Sequence, residues 1–134
     1  MKKIFGFLIV PILMFSPVSH AKEETWIKMF NGLSNKNYSS SGVTDKDVFM
    51  FSAGCTGYTT RIKKDRPMAK YFINVMLGMG DQAVSDWSEM TYAEQQDFVQ
   101  RSVGYAHHVL EREINQGNTT WQKVDYLCNN LWQD

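Results

Sequence analysis

Apolar side chains recur every three or four residues along most of this chain, and polar or glycine-rich breaks separate the periodic stretches, a pattern that predicts helices. Trp26, Met29 and Phe30 keep that spacing between Glu23 and Asn31, and Gly32 stops the run. Residues 34–43 are polar and turn-prone and read as a loop. Thr44 with Asp47 marks the next helix start, because the threonine oxygen accepts from first-turn amides and a carboxylate suits the positive helix end. Val48, Phe51, Cys55, Tyr58 and Ile62 then predict one buried stripe. Ala53, Gly54 and Gly57 beside it are small enough to let another helix approach, and Pro67 should end the run near Lys64 or Asp65.

Met68, Phe72, Val75, Met76 and Met79 predict a further helix. Residues 80–91 read as a loop or a short helical turn with Val84 and Trp87 pointing inward. Thr91 and Glu94 form a capping box ahead of the stripe Val99, Val103, Ala106, Leu110 and Ile114, which closes at Gly117. Thr119 or Thr120 opens a last helix with Trp121, Val124, Cys128 and Leu131 on one face, so Cys128 points inward toward Cys55. Strand-like alternation of useful length is missing. The expected fold is all-α, a small bundle of four to five helices with one disulfide.

The start of the chain changes where this domain begins. Lys2 and Lys3, the apolar run Ile4 to Phe15 and the small-residue ending Ser19, His20, Ala21 have the order of a secretory signal peptide. Cleavage is expected after Ala21, leaving residues 22–134 as a single helical domain in the periplasm or outside the cell. A retained membrane anchor is disfavoured, because Pro11 and Pro17 interrupt the run and Lys22, Glu23 and Glu24 follow it. The remaining chain keeps 12 of the 14 basic residues and all 14 acidic ones, a formal charge of −2 that offers nothing to nucleic acid. In an exported chain, two cysteines imply a bridge between Cys55 and Cys128, which the chain-entropy model credits with roughly 4 kcal/mol.

Candidate chemistry is thin. His107 and His108 are neighbours, so on a helix they diverge and cannot share a metal; surface or half-buried histidines are expected, with Glu111 one turn from His107. Met76 and Met79, with Met68 and Met90 farther off, have the soft thioethers that capture copper(I), yet they suit core filling better. Asp81, Asp86, Glu89, Glu94 and Asp97 allow a paired-carboxylate guess, but Glu94 and Asp97 also fit a helix start. No catalytic residue, metal or cofactor is assigned, and an enzyme is not expected.

A surface for a protein partner is what remains. Residues 78–91 and 34–43 each combine glycine, polar groups and an aromatic; in the first, Trp87 is the candidate anchor, and Asp81, Asp86 and Glu89 are suited to a basic partner. Trp87 has the alternative of simply covering the core. Phe51-Ser52-Ala53-Gly54-Cys55-Thr56-Gly57-Tyr58 in an early helix and Val124-Asp125-Tyr126-Leu127-Cys128 in the last one, behind a signal peptide, resemble in organisation the small periplasmic immunity proteins that neutralise wall-degrading toxins delivered by type VI secretion. That resemblance implies an immunity factor or inhibitor that occludes the active site of a secreted toxin or cell-wall hydrolase; a homodimer is a separate option. The organisation is also similar to the small acid-stress chaperones of the periplasm, though here the cysteines lie farther apart and the charge is more balanced.

Overall fold

A computed structural model of the chain describes residues 24–31 and 43–133. The expected signal peptide and nearly all of the loop expected over residues 34–43 lie outside these residues. Within them the chain is helical, with no strand: α1 (Thr25–Asn31), α2 (Asp45–Tyr58), α3 (Arg66–Gly78), the short α4 (Gly80–Ala83), α5 (Tyr92–Asn115) and α6 (Trp121–Gln133). The predicted all-α bundle is what forms, and five of these helices are seven residues or longer. Residues 80–91 resolve into α4 and a 3-10 turn at Trp87–Glu89.

Both predicted caps are present. Thr44 Oγ1 accepts from the amide of Asp47, whose carboxylate accepts in return from the Thr44 amide, and Thr91 and Glu94 do the same ahead of α5. At α6, the Lys123 amide donates to Thr120 Oγ1 at 3.1 Å, so Thr120 opens that helix.

The single buried stripe expected on α2 needs correction. Every residue from Phe49 to Tyr58 is buried, while Val48 is only partly covered and Ile62 is 43% exposed. The reason is position: α1, α3, α4, α5 and α6 all pack on α2, which leaves that stretch no face for solvent. Close approach depends on its glycines. A Cβ on Gly54 would stand 2.9 Å from the Phe30 ring and 3.1 Å from Leu110 Cδ1, and one on Gly57 would meet His107 at 3.0 Å. Beyond Tyr58 the helix widens into a π-helical turn, Thr59–Lys63. The wider turn takes Ile62 off the three-and-four spacing that the α-helical stripe assumed. Lys64 then turns left-handed at φ 58°, and Asp65 caps α3 by accepting from the Met68 amide at 3.1 Å, with Pro67 in the first turn.

Cys55 of α2 and Cys128 of α6 are bridged, with Cα atoms 5.7 Å apart and both side chains fully buried. Met68 and Met76 are core residues beside Phe72. One hydrophobic cluster runs from Trp26, Phe30 and Phe49 through Met76 and Trp87 to Val99, Leu110 and Val124, joining α1, α2, α3, α5 and α6.

Candidate functional site

The connector between α3 and α5 carries all four expected contact residues, and it divides them. Trp87 is only 6% exposed. Its indole lies directly on Gly80, where a Cβ would come within 2.0 Å of Cε2, and it meets Phe49 and Phe98 edge-on with centroids 6.4 and 6.3 Å away. Gln95 Nε2 donates to the Trp87 carbonyl at 3.0 Å. Trp87 is thus part of the core and covers it rather than standing out as a contact anchor, and it fixes the connector from beneath. Asp81, Asp86 and Glu89 are exposed on the outside. Asp86 takes the left-handed conformation at φ 65°, which a short polar side chain tolerates.

The acidic character continues into α5. Between residues 71 and 100 the chain has five carboxylates, Asp81, Asp86, Glu89, Glu94 and Asp97, and no lysine, arginine or histidine. Glu94 is engaged in its cap and Asp97 accepts from Arg101 Nε at 2.9 Å. A shallow depression of about 490 Å³ lies along this edge, lined by Met90, Ala93, Glu94, Asp97 and Arg101. Beyond it, Lys46, Phe49, Met50, Val84, Phe98 and Ser102 line a second hollow of about 290 Å³ between α2, the connector and α5.

The second concentration of chemistry lies where α6 meets α2 and α5. Trp121 stacks on Tyr58 and on His107, with centroids 5.7 and 5.5 Å apart and planes within 20°. The Tyr58 hydroxyl donates to Asp125 Oδ1 at 2.9 Å. Lys63 Nζ reaches the same oxygen at 3.1 Å, and Asn129 Nδ2 donates to Asp125 Oδ2 at 3.0 Å. Burial, then the hydrogen bond and charge of Asp125, push Tyr58 up to about 12.

His107 is 4% exposed, more deeply buried than its sequence position suggested, whereas His108 is exposed. Burial pushes His107 below its ordinary value. Glu111, with Oε2 3.5 Å from Nε2, pulls it back up, and the charge of Arg61 presses it down again. Among the described residues no three His, Cys, Asp or Glu side chains stand close enough together to hold a metal ion.

Sequence reasoning missed a third feature, the buried Glu113. It accepts from Asn31 Nδ2 and Asn118 Nδ2, each at 2.9 Å, and has Arg112 at 3.6 Å. With Thr119 donating to the Phe30 carbonyl and Lys123 Nζ to that of Asn31, this carboxylate pins the end of α1 to the α5–α6 corner. A glutamate at the foot of a helix reads as surface, and only α1 folding over it makes it interior.

No family model, curated protein or solved structure matches this chain. No described helix is long and apolar enough to cross a membrane.

Proposed function

We propose that this chain is an exported binding protein of the periplasm, an immunity factor or inhibitor that blocks the active site of a secreted toxin or cell-wall hydrolase by covering it. The observation that carries this reading is the connector over Trp87. Three exposed carboxylates, Asp81, Asp86 and Glu89, sit on a short backbone that a buried indole, a glycine contact and the Gln95 hydrogen bond hold in one shape. A fixed surface loses little conformational entropy on binding, and a one-signed edge steers toward a basic cleft. The bridge between Cys55 and Cys128 suits an oxidising compartment and adds to the rigidity of the scaffold.

The test is affinity capture of the oxidised protein from its own source, followed by an inhibition assay on what is recovered. One stoichiometric hydrolase or toxin, inhibited by the captured protein, is the expected outcome. The triple replacement Asp81→Lys, Asp86→Asn, Glu89→Lys should weaken that complex by roughly tenfold or more while leaving the fold intact, because all three side chains are in solvent and asparagine keeps the left-handed turn at position 86. Trp87→Ala is unsuited to this purpose, since it would collapse the connector rather than remove a contact. Recovery of many unrelated exported proteins, increasing on acidification, would replace this reading with the stress-chaperone one.

A further inference from the structure

His107 of α5 stands where that helix meets α2 and α6. Trp121 of α6 stacks on it, and its Nδ1 abuts Gly57 of α2, 3.1 Å from where a Cβ would be. Nδ1 is buried with no hydrogen-bond partner among the described residues, while Nε2 points to Glu111. A neutral imidazole with its proton on Nε2 fits this setting, because the bare Nδ1 lone pair tolerates a contact with carbon. The imidazolium does not fit. Its second N–H would be a buried donor with no acceptor, in a ring that has lost its solvent.

The charged neighbours do not reverse that balance. Glu111 on α5 favours the proton and Arg61 of the π-helical turn opposes it. On α2 the Tyr58 hydroxyl is neutral and committed to Asp125. On α6 Asp125 is engaged by Tyr58, Lys63 and Asn129. Burial outweighs Glu111, so the closed arrangement prefers the neutral ring.

We propose that His107 is an acid-operated latch: protonating its imidazole unseats Trp121 and frees the first half of α6, residues 121–127, while the Cys55–Cys128 bridge keeps the helix tethered for return. α6 is the element that yields because, of residues 121–127, only Val124 is buried. Gln122, Lys123 and Tyr126 are exposed and Trp121 is only partly covered, whereas α2 is enclosed and α5 buries Val99, Val103, Ala106, Val109 and Leu110. When α6 lifts, His107 regains water and its ordinary value near 6.5. Protons therefore bind the open form better. The closed form holds fully above about pH 6.5 and is lost as pH falls through the lower closed-state value, the open-to-closed ratio rising about tenfold per pH unit between the two. This inference does not rest on the binding reading above.

Hydrogen exchange on the oxidised protein, expressed as protection relative to intrinsic rates, tests it between about pH 7 and pH 5. Amides of residues 123–127 should lose up to about tenfold of their protection per pH unit while those of α2 and the middle of α5 keep theirs. His107→Phe retains a flat ring for Trp121 but takes no proton, and should hold α6 protection level over that range; His108→Gln should behave like the parent. A flat parent profile, or the same fall in His107→Phe, overturns the proposal. Should His107→Phe not fold, imidazole NMR of the parent decides. Titration of His107 below the ordinary histidine value and in step with the Trp121 indole signal supports the latch, and titration at or above the ordinary value, or with Trp121 unmoved, overturns it.

Discussion

At position 80 it is an indole ring, and not a backbone angle, that demands glycine. Helix propensity alone favours Gly80→Ala, by roughly 1 kcal/mol in a helix interior. The added methyl, however, would stand 2.0 Å from Trp87 Cε2 and 2.3 Å from Cδ2. Trp87 cannot withdraw freely, because Phe49 and Phe98 hold its edges and Gln95 holds its carbonyl. Overpacking of this kind costs about 1–3 kcal/mol, and in so short a helix as α4 the propensity gain is small, so the steric effect wins. Gly80→Ala should lower the thermal midpoint by roughly 5–10 °C in a circular-dichroism melt. An unchanged or higher midpoint would mean that Trp87 moves out at little cost, and with it the rigidity of the acidic connector.

Polar contacts as well as an apolar face hold α6 in place. Asp125 gathers the buried Tyr58 and the more exposed Lys63 and Asn129, and such contacts are individually worth about 0.2–1 kcal/mol, more where a hydrogen bond meets a charge. Asp125→Asn keeps the shape and removes the charge. It should destabilise the protein by about 1 kcal/mol at neutral pH, and it should bring Tyr58 down from about 12 part of the way toward 10.0, burial keeping the remainder. The sign follows from the raised value: the stability that Tyr58 contributes is fully present below pH 10 and is lost as pH rises through about 12. A phenolate absorbance titration in which Tyr58 is unchanged by Asp125→Asn would show that burial alone holds the hydroxyl. The caps at Thr44 and Thr91 were legible in the sequence because both partners of each cap lie within three residues, and the inward face of Cys128 followed from helical period alone. The full enclosure of α2 was not legible, since it is set by Phe30, His107 and Leu110, residues distant in the chain that share no pattern with Gly54 or Gly57. His107 hid for the same reason. It lies one position from the Ala106 stripe, and only Trp121 closing over it decides that it is interior. Of the candidate contact residues, the sequence showed the acidic cluster around Trp87, but the direction in which Trp87 points needed Gly80, Phe49 and Phe98 in place.

For the whole molecule, the bridge between Cys55 and Cys128 spans 73 residues of sequence, from the central helix to the last, and so constrains nearly everything in between. A loop of that size stabilises by roughly 4 kcal/mol through the entropy it removes from the unfolded chain, against a total of about 5–15 kcal/mol for a typical domain. Without the bridge α6 keeps the Trp121 stack, the buried Val124, the Asp125 cluster and the Lys123 hydrogen bond to α1. The buried cluster includes both cysteines, yet α1, α2, α3 and α5 supply most of its members, among them Phe30, Phe49, Phe72, Val103 and Leu110. The double variant Cys55→Ala, Cys128→Ala should therefore remain helical at neutral pH and lose roughly 4 kcal/mol in urea denaturation. Its α6 amides should exchange well ahead of those in α2 and α5, and acid should now release the helix without a tether, so recovery at neutral pH slows relative to the oxidised parent. Global unfolding of the variant at neutral pH would instead make α6 part of the minimal core. In that case the latch at His107 would have to act on the stability of the entire fold and not on one helix.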